Sequence, residues 1–203
     1  MTPAWILDIL AGLMLAVAAV SAARLTAAPP GRGGLADVDV AHVLMAVAMA
    51  GMLVPSLATL PATAWAAVFG LMTAWFAWRV GHDARASGVR ALAGGHCVPH
   101  LAHSGAMLYM FLAQAAPVSG RAMSGMGGSA ARTLEYPTLA FVFTLILAGY
   151  SVWDIDQLSG PRYGLVGVPL GSGLRALLLS PGTAVACRVL MGVSMAFMLL
   201  IMI

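Results

Sequence analysis

Long apolar stretches, separated by short runs rich in Gly, Pro and Arg, dominate the pattern of hydrophobic and polar positions along this chain. Six stretches approach the ~20 residues that a helix needs to cross the ~30 Å apolar core of a bilayer. The pattern therefore predicts an all-α fold, a single transmembrane domain over residues 1–203 built as a polytopic bundle of six membrane helices. The predicted helices cover residues 3–24, 39–58, 62–80, 98–116, 136–156 and 182–203.

Composition agrees with a chain that lies mostly in lipid. Hydrophobic residues make up 61% of the sequence and charged residues only 8%, which is too little polar surface for a soluble domain of this length. The ten basic residues are all arginines in loops or near helix ends, so they form no basic patch. The lipid bilayer is therefore an expected partner, and nucleic acid is not.

The arginines also indicate an orientation. Seven follow helices 1, 3 and 5, whereas two lie on the opposite side. The positive-inside rule predicts a multi-pass protein of the cell membrane, with its N-terminus outside and the loops after helices 1, 3 and 5 in the cytoplasm. The seven are Arg24, Arg32, Arg79, Arg85, Arg90, Arg162 and Arg175; the two are Arg121 and Arg132.

One side-chain pattern recurs on all three even-numbered helices, at offsets of 0, 3, 7 and 10 residues. These offsets fall within an arc of about 80°, so each set forms one narrow face of its helix. The three helices start at the same membrane face, and equal offsets therefore mean similar depths. From the cytoplasm outward, the predicted layers are His42, His100 and Arg188; then Met45, His103 and Met191; then Met49, Met107 and Met195; then Met52, Met110 and Met198.

The chemistry of these layers favours a soft metal ion. A thioether is an uncharged soft ligand that suits Cu(I), and imidazole binds the same ion. Further soft donors lie at both ends, with His96 and Cys97 just before helix 4 and Met123 and Met126 in the longest outer loop. We therefore predict a protein that binds or transports Cu(I) through the layers, with these four residues as peripheral ligands and the metal ion as cofactor and partner.

Other interpretations of the stripes remain open. Methionine also packs well between helices, so the chain is alternatively a non-catalytic structural or assembly subunit that packs against its own copies or a membrane partner protein. A haem held by His42 and His100 is a third interpretation. Zinc is less expected, because a zinc site prefers thiolates, imidazoles or carboxylates to thioethers. No catalytic motif is visible, so enzymatic activity is not expected. Arg188 would repel a cation unless Asp39, Asp154 or Asp156 pairs with it.

The repeated stripe also predicts the arrangement of the helices and carries two resemblances. It predicts three helical hairpins, 1–2, 3–4 and 5–6, with helices 2, 4 and 6 arranged about a pseudo-threefold axis. The His and Met pattern resembles an actinobacterial family of six-helix membrane proteins described only as a domain of unknown function, which implies this fold and no activity. The pairs Met45–Met49 and Met191–Met195 also resemble the motif of the trimeric eukaryotic copper transporters, which stack methionine triads about a threefold axis. Their cytoplasmic His-Cys tail is similar to His96–Cys97, although here that run lies in an internal loop.

Overall fold

Six α-helices make up nearly all of the part of the chain that the structure describes. The computed structural model describes residues 4–27, 33–88, 97–115, 137–159 and 178–202. The helices are α1 (Ala4–Ala27), α2 (Gly33–Leu53), α3 (Ala62–Ser87), α4 (Cys97–Ala115), α5 (Pro137–Ser159) and α6 (Pro181–Met202), with a short 3-10 turn at Pro55–Leu57. These ranges contain no strand, and the predicted all-α fold is confirmed.

Three helix boundaries differ by five residues or more from those predicted by hydropathy, and the first is the start of α2, which lies at Gly33 and not at residue 39. The predicted end of helix 2 at residue 58 is wrong, because α2 stops at Leu53 and the residue before Pro55 adopts an extended conformation. Proline restricts its preceding residue in this way and supplies no backbone N–H of its own. In contrast, α3 runs beyond its predicted end to Ser87 and stops at Gly88, whose φ is +78°. Its last turns carry exposed polar side chains, which a hydropathy criterion assigns to a loop.

The turn after α2 folds back closely over Gly51. A Cβ atom built on Gly51 would lie 3.1 Å from the Cα atom of Ala58, which is backbone that cannot rotate away. Gly51→Val should therefore lower the free energy of unfolding by about 1–3 kcal/mol through overpacking. Gly12→Val is the matched control, since no atom lies within 4 Å of a Cβ there. Equal stability of the two variants in a detergent unfolding titration would contradict the close approach.

Consecutive helices pack along their lengths as three pairs, α1 with α2, α3 with α4, and α5 with α6. Arg24 near the end of α1 pairs with Asp39 near the start of α2, and Asp154 near the end of α5 pairs with Arg188 near the start of α6. The helices in these two pairs therefore run antiparallel. This is the hairpin arrangement that the repeated stripe predicts.

The even-numbered helices form the centre of the molecule. Each of α2, α4 and α6 contacts the other two, with further inter-hairpin contacts of α4 with α5 and of α1 with α6. The rings of His42 and His100 meet near the starts of α2 and α4, so these two helices begin at the same end of the bundle. The stripes on the even helices consequently lie in the core.

Three of the helices in the described ranges are long and apolar enough to cross a membrane. They are Trp5–Ala27, Pro137–Asp156 and Gly182–Ile201. These segments confirm the membrane character predicted from composition, whereas crossing by all six helices stays a prediction.

Candidate metal-binding core

The methionines of the even helices pack into one buried column. Five of them are completely inaccessible to solvent, whereas Met52 is half-buried. The five are Met45, Met49, Met107, Met110 and Met195. The stripe residues therefore face the core as predicted, although their burial serves packing as well as ligation. We call the buried members the methionine column, which consists of Met45, Met49, Met107, Met110, Met191, Met195 and Met198.

A pair of histidines closes one end of the methionine column. The ring centroids of His42 and His100 are 5.0 Å apart, with the planes inclined at 54°. Phe76 from α3 stacks on His100 with its centroid 5.6 Å away. His42 is only 2% exposed, and neither of its ring nitrogens has a hydrogen-bond partner among the described residues. A buried polar atom without a partner costs about 1–3 kcal/mol, and such atoms often mark a functional site.

His103 lies one turn further along α4, and its orientation is held by the backbone. Its Nδ1 atom is 2.7 Å from the carbonyl oxygen of Pro99. Because a carbonyl oxygen only accepts, Nδ1 carries the proton and donates, which leaves a lone pair on Nε2 in the neutral ring. Nε2 is buried and has no hydrogen-bond partner in the described part of the chain. Protein metal sites commonly hold an imidazole ligand in this way.

Arg188, the third residue of the first predicted layer, is neutralised within its own hairpin. Its Nε and Nη2 atoms donate to the two carboxylate oxygens of Asp154 at 2.6 Å and 2.7 Å. Of the three candidate aspartates, the structure therefore selects Asp154, while Asp39 accepts from Arg24 at 3.1 Å. The positive charge that would oppose a cation in this layer is compensated by a carboxylate from α5.

The peripheral residues are only partly described. Cys97 is a half-buried free thiol at the start of α4, one turn before His100. His96, Met123 and Met126 lie outside the described residues. Cys187 on α6 is a second free thiol, buried in the core.

Sequence reasoning missed two residues of this core. Met14 from α1 is completely buried in the same core, but the odd helices carry no repeated stripe that would have indicated it. Gly192 lies on α6 next to Met191, and a Cβ atom there would stand 3.4 Å from Nε2 of His103. Its position between Met191 and Met195 could have indicated a close helix contact from the sequence, since small residues mark places where membrane helices approach closely.

The donors in the core decide which metals fit. His, Cys, Asp and Glu in the described ranges do not form a group of three that could hold a metal ion. The imidazoles and thioethers that the core does contain form a donor set that suits Cu(I) better than zinc, calcium or magnesium.

These features define a class of protein, an all-helical protein with membrane-type helices around a core of methionine and histidine. The chain belongs to the family described as Domain of unknown function (DUF5134), whose model matches residues 34–202. This confirms the resemblance to a family of unknown function, while an actinobacterial origin stays a prediction. No curated protein and no solved structure matches the chain.

Proposed function

We propose that this protein is a multi-pass membrane protein that binds Cu(I) in the core between α2, α4 and α6 and handles or transports the ion. The observation that carries the proposal is the set of buried imidazole nitrogens without hydrogen-bond partners, on His42 and His103, beside the methionine column. Packing alone accounts for buried methionines but not for these nitrogens, because an apolar side chain would fill the same space without the cost of desolvation.

All six helices cross the membrane in this proposal. At 1.5 Å per residue, α2, with 21 residues, and α4, with 19 residues, are about 32 Å and 28 Å long, close to the ~30 Å of a bilayer core. Both lie beside α6, which qualifies as a membrane span by itself. Asp39 and His42 of α2 and His100 and His103 of α4 face the interior of the bundle, as intramembrane polar groups usually do. The arginine distribution gives the N-terminus outside and the loops after α1, α3 and α5 in the cytoplasm.

A structural or assembly subunit is the second candidate, and one observation favours it. Nδ1 of His103 donates to a backbone carbonyl, as expected for a histidine that only stabilises a bundle. The haem interpretation requires the two histidines to move further apart than copper binding does. The rings of His42 and His100 are in contact, so they would have to separate before a porphyrin could lie between them as its two axial ligands.

Copper content of the purified protein tests the proposal directly. Wild-type protein, loaded with Cu(I) under reducing conditions and freed of excess metal, should retain about one ion per chain, the number expected for one mixed site in the core. The triple variant Met49→Leu, Met107→Leu and Met195→Leu should retain about tenfold less, because it removes one layer of thioethers at nearly constant volume. Elemental analysis after detergent purification measures both.

The control for this experiment replaces a methionine outside the three stripes. The variant Met72→Leu alters a partly buried methionine of α3 that packs against the core. It should keep the wild-type copper content. Full copper retention by the triple variant would contradict ligation by the column. A wild-type protein that retains no copper and co-purifies with a fixed partner would favour the structural subunit.

A further inference from the structure

A cluster of aromatic and charged side chains lies on the outer surface of the bundle, at the end where α2 begins and α3 ends. Trp75, Trp78, Arg79 and His82 follow one another on α3 at helical spacing and share one face of that helix. The ring centroids of Trp75 and Trp78 are 5.3 Å apart, and the ring of His82 lies 5.9 Å from that of Trp78. Both indole rings are exposed, so packing in the core does not account for them.

Two carboxylates complete this cluster and form a cleft with it. Asp37 of α2 accepts a hydrogen bond from Nη1 of Arg79 at 2.9 Å, which joins the first hairpin to the second, and Asp83 follows His82 on α3. The cleft has a volume of about 380 Å³, which falls within the ~300–1,000 Å³ of typical small-molecule sites. We call it the tryptophan cleft, and it is lined by Asp37, Trp75, Trp78, Arg79, His82 and Asp83.

An apolar groove continues from the tryptophan cleft between the same two helices. The cleft and the groove share Asp37 and Trp75, and Val40 and Leu44 of α2 and Leu71 of α3 line the groove further along. Leu44 lies seven residues beyond Asp37, so the groove extends about 10 Å toward the middle of the helices. A polar cleft at the helix ends that opens into an apolar groove matches the polarity of a lipid molecule.

We propose that the tryptophan cleft and its groove bind one phospholipid with a zwitterionic head group that carries an ammonium group and a phosphate. The faces of Trp75 and Trp78 attract the ammonium group, as aromatic side chains do in sites for quaternary ammonium ligands, and Asp83 adds the opposite charge. Arg79 has further N–H groups besides the one that it donates to Asp37, and these donate to the phosphate. An acyl chain fills the apolar groove.

The charges of the cleft select among lipids. Two carboxylates face a single guanidinium group there, so the cleft offers no excess of positive charge to an anionic head group. A zwitterionic head group supplies a partner for both signs of charge. This inference rests on the membrane position proposed for α2 and α3, and it does not depend on copper.

Tryptophans near helix ends also anchor membrane proteins without binding a particular lipid. Trp5 near the start of α1 and Trp153 near the end of α5 provide the matched control for this general role. They are 63% and 59% exposed, against 49% and 61% for Trp75 and Trp78. Trp153 also lines a larger apolar groove between α4 and α5, so the control covers a lipid bound there.

The test is native mass spectrometry of the full chain in detergent, titrated separately with phosphatidylcholine, phosphatidylethanolamine and phosphatidylglycerol. Wild type should bind one molecule of either zwitterionic lipid about tenfold more tightly than the anionic phosphatidylglycerol. The double variant Trp75→Leu and Trp78→Leu should bind the zwitterionic lipids about tenfold more weakly, because it removes two contacts with the ammonium group. The control Trp5→Leu and Trp153→Leu should match the wild type.

Three results would overturn the inference. They are equal affinity of the wild type for all three lipids, equal loss of binding in the two double variants, and a dimer in the spectra that excludes the lipid. If the Trp75 and Trp78 variant does not fold, Asp83→Asn decides the point, since this side chain is exposed and its replacement is tolerated. It should lower the preference for zwitterionic lipid about threefold, and an unchanged preference would contradict the site. None of these variants alters a proposed copper ligand, so a negative result leaves copper binding intact.

Discussion

Asp154→Asn should destabilise the protein by about 3–5 kcal/mol, the range measured when one partner of a buried ion pair is removed. The side chains of Arg188 and Asp154 are 14% and 5% exposed, and two short hydrogen bonds join them. Without the carboxylate, the guanidinium group of Arg188 would remain charged in a core that offers it little water. An unfolding titration in mixed micelles, followed by circular dichroism, measures the loss.

Two further variants test the cause of that loss. Asp156→Asn, on the exposed side of the same helix, should change stability by less than about 0.5 kcal/mol. The double replacement Asp154→Leu and Arg188→Met should recover most of the lost stability, because a buried ion pair can be exchanged for apolar side chains at little cost. A double variant as unstable as Asp154→Asn would show that the pair has a role other than charge compensation.

Arg24→Met should have a comparable effect, about 3–5 kcal/mol, for a different combination of reasons. Arg24 donates to Asp39 at 3.1 Å, and its Nη1 atom donates to the carbonyl oxygens of Leu178 and Ser180 at 2.8 Å and 3.2 Å. It therefore joins the first hairpin to the segment just before α6. The variant would leave one buried carboxylate and two carbonyl groups without this donor. The same unfolding titration measures the change.

Arg79→Met is the matched control for this prediction. Its ion pair with Asp37 is similarly short, at 2.9 Å, but the two side chains are 30% and 43% exposed, against 10% and 8% for Arg24 and Asp39. An exposed pair contributes about 0–1 kcal/mol, so Arg79→Met should be nearly neutral. Adding Asp39→Leu to Arg24→Met should restore only part of the stability, since the two carbonyl groups still lack their donor. Complete recovery would contradict the link between the hairpins.

The helices were largely predictable because their signal is local. Each has enough consecutive apolar residues to be recognised, and Pro137 and Pro181 stand at helix starts, where the missing backbone N–H has no cost. The early end of α2 and the late end of α3 have equally local causes. Pro55 ended α2 earlier than hydropathy indicated, and α3 continued to Ser87 because backbone hydrogen bonding does not require apolar side chains.

The candidate site was predictable on the even helices and not on the odd ones. A stripe repeated three times indicated that one face of each even helix is special, and the contact of His42 with His100 agrees with equal depth in the first layer. Nothing comparable pointed to Met14, because a single residue on an otherwise apolar helix has no periodic partner. The close packing at Gly192 depends on atoms of α4 and α5, which lie far from it in the sequence.

The sequence alone determined the all-α fold, the approximate helix boundaries and the face that each even helix presents, because these depend on the spacing of residues within one segment. Only the tertiary structure decided that Arg188 pairs with Asp154 and Arg24 with Asp39, and that Nε2 of His103 lies close to Gly192. Several aspartates were within plausible reach along the chain. The choice among them follows from how the hairpins pack, since hydrogen bonds form only over about 3 Å and thus depend on the relative rotation and depth of whole helices.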